Sequence, residues 1–476
     1  MRSKSAGILL LVVAIARLSF ADAVPDQYYE LSNVKPPDNS ALEVGGMAFN
    51  SDNSLVISTR RGEIWTLKNN QWTRFASGLQ EPLGLIVGDT GEVFVMQRSE
   101  LTRIVDTDND GHADRFEKIS DAFGYSGNYH EYAYGPVRDN EGNFYVTLNL
   151  SHAPDAWGGP FMGAAAKYRG WCLQMTPKGE MIPFASGLRS PNGLCMSPDG
   201  DIFATDNQGE FNVTNVLHHI QKGRFYGHPS SLSADPSFKG SPKTTSVEEL
   251  DKMRTRPVIY FPYDRMGKSI SEPRFDTTGG KFGPFAGQMF LGDISNRLYM
   301  RAQLDKVDGQ FQGACFPFLA HDDLVGANRE AFAPDGALYV GITNRGWGKG
   351  TMGLRQIKWT GKMPFEIQKI ELAKDGFNLT FTKPLDPATG EKSASYAVQH
   401  YGYKYENKYG GPEVNRTAVK DVEITLSAGK KVVHLKLAEV IPLNVYEIRI
   451  PGVKSADGNE LRNNIGWYTV NRLKQD

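Results

Sequence analysis

Cysteine is scarce: Cys172, Cys195 and Cys315 lie far apart in a chain of 476 residues. An odd, dispersed set allows at most one bridge, so the fold is no disulfide scaffold. No C-x-x-C-H occurs, which excludes covalently attached c-type haem. Lysine and arginine form no block and the formal net charge is −1. The chain therefore lacks the basic face that nucleic-acid phosphates demand, and no nucleic-acid partner is expected. Beyond the N-terminus no stretch approaches the ~18 apolar residues of a membrane span.

The N-terminal "MRSKSAGILLLVVAIARLSFADA" places Arg2 and Lys4 before an apolar run from Ala6 to Ala16, with small-x-small sites following. That run is too short to cross a bilayer comfortably, and its order is that of a signal peptide over residues 1–23. The mature chain is expected to be exported, periplasmic or secreted, without a transmembrane span.

What the sequence has in plenty is glycine, 50 residues, much of it in a degenerate repeat. "GGMAFNSDNSLVISTRRGEIWTL", "PLGLIVGDTGEVFVMQRSELTRIVD", "AYGPVRDNEGNFYVTLN", "PNGLCMSPDGDIFATDNQGEF" and "NREAFAPDGALYVGITNRGWG" each join two alternating runs through an Asp/Asn-Gly-like turn. "PFAGQMFLGDISNRLYMRAQL" is a weaker copy in which Gly287 takes the place of that turn. Such turns are hairpin chemistry, and units ~40–60 residues apart match the blade period of a β-propeller. A lone blade cannot cover both its faces, so blades stack around a channel. The expected fold is all-β: a six-bladed β-propeller over 24–361, the alternative being an array of sandwiches. The wide interval from "SLSADPSFKG" to "SEPRFD" reads as a long loop at the channel end. From residue 362 the rhythm changes to "GFNLTFTKPLD", "KDVEITLSAGKKVVHLKLAEV" and "NVYEIRIPGV", a small immunoglobulin/fibronectin-like β-sandwich over 362–476.

Several residues bear chemistry. "DTDNDGHADRFE" fits a calcium loop, D-x-D-x-D-G-x5-E. Asp106, Asp108 and Asp110 supply converging carboxylates, Gly111 the turn, His112 a carbonyl, and Asp114 and Glu117 the closure. The flanks look like strands, so the ion would staple a loop rather than drive a helical sensor. His130, in "GNYHEYAYGPVRDNEGNFYVTLN", stands where loops meet a channel mouth and is either a general base or a satisfied loop histidine. Its neighbour Glu131 is assigned no role. Arg189 and Asn192 precede an inner strand; Arg189 suits an anionic carboxylate, or else an ion pair between blades. Gly209 permits close backbone approach. Trp157, Trp347 and Tyr132 are candidates for stacking on sugar rings.

The succession "H…GPVRDNEGNFYVT", "GLRSPNGLCMSPDG", "TDNQGEF" and "IQKGRFYGHP" resembles the soluble glucose/sorbosone dehydrogenase family over roughly residues 40–360. Those are six-bladed propellers that bind pyrroloquinoline quinone (PQQ) and calcium at the channel mouth. The resemblance implies a PQQ-dependent sugar (aldose) dehydrogenase with a sugar or small polyol substrate and an external electron acceptor. It implies His130 as base, Arg189 as a cofactor- and substrate-contacting group, and Arg329 on PQQ carboxylates. Gly209 and Glu210 fall where backbone carbonyls ligate calcium. Ser190, Ser295 and Ala327 depart from the family's asparagine, lysine and arginine, with Arg297 standing near as a substitute cation. That loss removes two positive partners for a tricarboxylate. The alternative function is a non-catalytic carbohydrate-binding propeller with an attachment sandwich; a calcium-dependent lactonase built on Glu210 and Asp206 is the weaker third.

Overall fold

The computed structural model describes residues 26–152, 162–344 and 351–475. The five Asp/Asn-Gly-like turns do reverse the chain between paired strands. Val44–Phe49 pairs Leu55–Thr59, Leu85–Val87 pairs Val93–Met96, and Ala133–Arg138 pairs Phe144–Leu148. Pro191–Met196 likewise pairs Ile202–Asp206, and Ala327–Phe332 pairs Leu338–Ile342. Each hairpin opens a four-stranded antiparallel sheet, and the last is completed by the N-terminal strand Tyr29–Val34 lying against Gly353–Trp359.

The sixth copy differs. Its first strand is Arg274–Phe275, and the link to Met289–Leu291 is a loop in which Gly287 sits just before the second strand. The interval expected to be loop therefore holds structure: helix Val247–Met253, strand Ile259–Phe261 and that short first strand. The helix start was written in the sequence, because Ser246 and Glu249 form a capping box.

Burial explains why the sheets stack. Leu55–Thr59, Phe144–Leu148 and Ile202–Asp206 are buried at every residue, so both faces of these second strands are covered. The fourth strands Gln71–Ala76 and Arg115–Ser120 are each exposed at three of six residues. First strands of the first four sheets adjoin in turn, Met289–Leu291 of the fifth meets Ala327–Phe332, and that sixth sheet returns to Val44–Phe49. The link from fourth to fifth sheet runs through Asn192, whose Nδ2 lies 3.4 Å from the Ile270 carbonyl. The sheets thus close into a ring. Close approach near the axis requires small residues: a Cβ on Gly84 would lie 2.1 Å from the Gly135 carbonyl oxygen.

The fifth sheet does not end with its fourth strand. Gln310–Ala320 pairs Ile465–Val470, and the sheet runs on through Asn444–Arg449, Ala397–Tyr403 and Glu413–Ala418. A second sheet, in the order Ile367–Ala373, Gly376–Phe381, Val432–Lys436 and Glu423–Leu426, faces it across a core that includes Phe377, Leu379, Tyr446 and Tyr468.

At the ring's centre lies Arg329, 1% exposed. Its Nε donates to the Gly45 carbonyl at 2.8 Å, Nη2 to Leu83 at 3.1 Å and Nη1 to Asn192 at 3.4 Å. Nε also lies 3.2 Å from Glu272 Oε2, and the Tyr134 ring stands 5.1 Å from the guanidinium carbon. One cation thereby joins the inner edges of several sheets. Arg329→Met would leave those carbonyls buried without their donor and Glu272 with Arg274 as its remaining partner. Urea unfolding is expected to show a loss of about 3–5 kcal/mol, and an unchanged midpoint would remove the guanidinium from this role.

Candidate active site

In an antiparallel meander successive connections alternate between the two ends of a sheet. Connections from second to third strands, and from one sheet to the next, therefore share one end. At that end is a cavity of about 600 Å³. His130, Arg189, Asn192 and Glu210 all line it, together with Ser190 and Ser295. Residues distant in sequence meet because the ring brings their loops to one mouth.

His130 is half-buried, and its Nδ1 lies 3.0 Å from the Leu150 carbonyl oxygen. A carbonyl only accepts, so in the neutral ring Nδ1 carries the proton and Nε2 the lone pair. The surrounding backbone is tied down from behind. Arg98 donates to the Asn128 carbonyl at 3.1 Å and the Tyr129 carbonyl at 2.6 Å. Arg169 donates to Tyr132 at 2.6 Å and Asn149 at 2.7 Å; burial lowers its pKa to about 10, which leaves it charged at neutral pH. Glu131, assigned no role from the sequence, is wholly buried and accepts from Ser126 N at 2.7 Å, Ser126 Oγ at 2.9 Å and Ser151 Oγ. It is a positioning residue for the histidine segment.

Arg189 forms an ion pair, but with a residue at the end of its own sheet rather than between blades. Its Nε lies 3.0 Å from Glu210 Oε2, with both side chains nearly buried. Gly209 serves this pair, since a Cβ there would stand 1.7 Å from Arg189 Nε. The Gly209 carbonyl accepts the Gly410 N–H at 3.0 Å. Asp206 accepts the N–H groups of Arg189 at 2.8 Å and Ser190 at 2.7 Å, and burial pushes its pKa up to about 6. Its carboxylate is thus occupied by backbone rather than joined with Glu210 on a central cation. Arg297 pairs with Asp322 at 3.1 Å and does not line the cavity. Arg329 does not line it either, contrary to the expected cofactor contact, because backbone carbonyls and Glu272 take its donors.

Sequence reasoning missed Lys268, Tyr263 and Tyr409, all of which line the cavity. Lys268 pairs with Asp264 at 2.9 Å. Its signal was faint: one cation among several in an interval that looked like loop. Tyr132 does line the cavity, whereas Trp157, Trp347 and the expected signal segment lie outside the described residues.

The acidic loop is elsewhere. It connects Leu101–Val105 to Arg115–Ser120, third strand to fourth, and so lies at the opposite end of the ring from His130. Oxygens of Asp106, Asp108 and Asp110 fall within 4.8 Å of one another, and the charge of Asp110 raises the pKa of Asp108. The other carboxylates expected to close the shell, Asp114 and Glu117, do not join them. Asp114 instead accepts the Thr107 N–H at 3.1 Å. Glu117 belongs to a strand, whose register carries it to Arg103 at 2.9 Å and Arg115 at 3.0 Å.

The family described as "Domain of unknown function (DUF7133)" matches residues 68–341, more than half of the chain, and the chain belongs to it. No curated protein matches. Among solved structures, an oxidoreductase (glucose dehydrogenase) from Thermus thermophilus has a TM-score of 0.51 at 18% identity, covering 69% of this chain and 99% of its own. The PQQ domain of a pyranose dehydrogenase from Coprinopsis cinerea, in holo form, has a TM-score of 0.50 at 9% identity, covering 70% and 98%. The calcium structure of a Trichoderma reesei Carbohydrate-Active Enzymes Family AA12 protein has a TM-score of 0.52 at 11% identity, covering 71% and 97%. The likeness to these sugar dehydrogenase-type propellers is one of fold.

The residues present do not fit a tricarboxylate quinone held with calcium. Among the described residues the two cations lining the cavity, Arg189 and Lys268, are paired with Glu210 and Asp264. Of the two carbonyls expected to ligate calcium, that of Gly209 accepts Gly410, and the guanidinium beside Glu210 repels a metal ion. Titrating PQQ with calcium into the protein should leave the absorbance of free quinone unchanged. Glu210→Gln, which frees the guanidinium, should bind PQQ better than the parent; tight binding by the parent would refute the charge argument.

Proposed function

We propose that the cavity takes a sugar or small polyol and that the chain acts on it as a sugar dehydrogenase-like oxidoreductase, with His130 as general base. The observation that carries this is a surplus of acceptors. Asn192, Asn207 and Glu210 line the cavity, and among the described residues no donor reaches their buried Oδ1, Oδ1 and Oε1 atoms. The two amides are oriented by their Nδ2 groups, 3.4 Å from the carbonyls of Ile270 and Ser190. Unmet buried acceptors favour a ligand that brings hydroxyl donors and no charge of its own. The aromatic rings of Tyr129, Tyr132 and Tyr263 suit the apolar faces of such a molecule.

In this reading His130 Nε2 accepts the proton of the hydroxyl being oxidised, while Glu131 and Arg169 keep the segment from turning away. The electron pair leaves to an acceptor supplied from outside the chain. The six meanders are read as six blades, the segment from 362 as a sandwich, and the protein as exported. Asp106, Asp108 and Asp110 are read as a calcium staple remote from the chemistry. A second reading, carbohydrate binding without oxidation, is favoured by the pairing of every cavity cation among the described residues.

Calorimetry with a panel of neutral sugars and polyols, followed by dye reduction with and without PQQ and calcium, decides between them. His130→Gln is expected to keep the bound sugar and lower dye reduction by ~100-fold or more. Binding without dye reduction under any condition selects the second reading, and no binding at all rejects both. Calcium at ~10 mM should raise stability by about 1–3 kcal/mol for a millimolar to submillimolar site. That gain should vanish in the pair Asp108→Asn and Asp110→Asn.

A further inference from the structure

The wall of the cavity is not supplied by the ring alone. The loop between Ala397–Tyr403 and Glu413–Ala418, in the C-terminal unit, reaches across to the segment that carries Gly209 and Glu210. Gly410 N–H donates to Gly209 at 3.0 Å, Gly411 N–H to Val213 at 2.8 Å, and Phe211 N–H to Glu406 at 3.2 Å. Tyr405 fixes the root of the loop: it is buried, its hydroxyl donates to the Gly227 carbonyl at 2.6 Å, and Arg254 stands 4.4 Å from its ring. Gly410 has φ +72°, and a Cβ there would lie 2.7 Å from Gln208 Nε2, so the seat accepts a glycine.

The product of this anchoring is Tyr409. Its ring lines the cavity, stands 5.1 Å from the Arg189 guanidinium carbon, and remains 56% exposed on a loop held by backbone bonds on either side. An aromatic ring so presented offers a stacking face at small conformational cost, since the backbone beneath it is already fixed. The family match ends at residue 341, so this contribution lies beyond it.

We propose that Tyr409 is a ligand-contacting, specificity-determining residue, delivered in cis by the C-terminal unit as a stacking platform for a pyranose-type ring. This rests on the carbohydrate reading of the cavity. A cyclic sugar has a C–H face to lay on the ring; a linear polyol presents hydroxyls and gains less.

The test compares the full chain with Tyr409→Ala and Tyr409→Phe, by calorimetry against a pyranose and a linear polyol and by thermal unfolding. Tyr409→Ala is expected to weaken pyranose binding about 3- to 10-fold, the worth of one aromatic stack. Polyol affinity and Tm should stay close to the parent's, and Tyr409→Phe should restore the pyranose. Equal loss for both ligands with a lowered Tm makes the residue a mere cover for the Arg189–Glu210 pair and overturns the inference. Unchanged binding in Tyr409→Ala overturns it too, with the carbohydrate reading intact. A parent that binds neither ligand defeats that reading first, and the inference with it.

Discussion

A ring of sheets turns the carbonyls of its inner strands toward an axis where water and partners are few. Arg329 answers that constraint. A guanidinium carries five donors in a fixed plane, and here they meet carbonyls of residues as distant as Gly45, Leu83 and Asn192. The cost of burying the charge is offset by Glu272 and by the Tyr134 face. Everything above the axis depends on this closure, because the cavity has no wall of its own: it exists where loops of the closed ring converge.

The same bookkeeping of charge separates this cavity from one built for a polyanion. Every arginine the sequence offered for anion binding is committed: Arg189 to Glu210, Arg297 to Asp322, Arg329 to the axis. What is left over is acceptor capacity, on Asn192, Asn207 and Glu210, beside an imidazole whose proton is held on the far nitrogen. An environment of that kind favours neutral hydroxyl ligands over carboxylates. The fold shared with sugar dehydrogenases and the electrostatics of this particular mouth are therefore separate findings.

Legibility in the sequence followed the range of the interactions. Asp199-Gly200 or Asp335-Gly336 announces a hairpin because the turn is decided within four residues, and those hairpins are present. The convergence of His130, Arg189, Asn192 and Glu210 was legible once the turns implied a repeating meander. Arg274–Phe275 was not, since a two-residue strand carries no period to read. Nor was the use of each arginine: the sequence shows a cation, but whether a carboxylate or a ring of carbonyls receives it is settled by chain segments up to 284 residues away. Glu117 shows the reverse error. The calcium-loop pattern was complete in type and spacing, yet a strand's extended backbone swung its last carboxylate to Arg103.

The C-terminal unit is bound into this logic rather than appended to it. Its sheet is continuous with the fifth sheet through Cys315 and Trp467, and Arg265, near the cavity's Tyr263, pairs with Glu447 at 2.8 Å. A loop on a freely tethered module could not keep a ring within contact of Arg189, because linker entropy would disperse it. Hydrogen-bonded sheet continuity removes that freedom before any ligand arrives. The long fifth sheet thus carries rigidity from the ring out to the unit and back, through the 404–412 loop, to the mouth of the cavity.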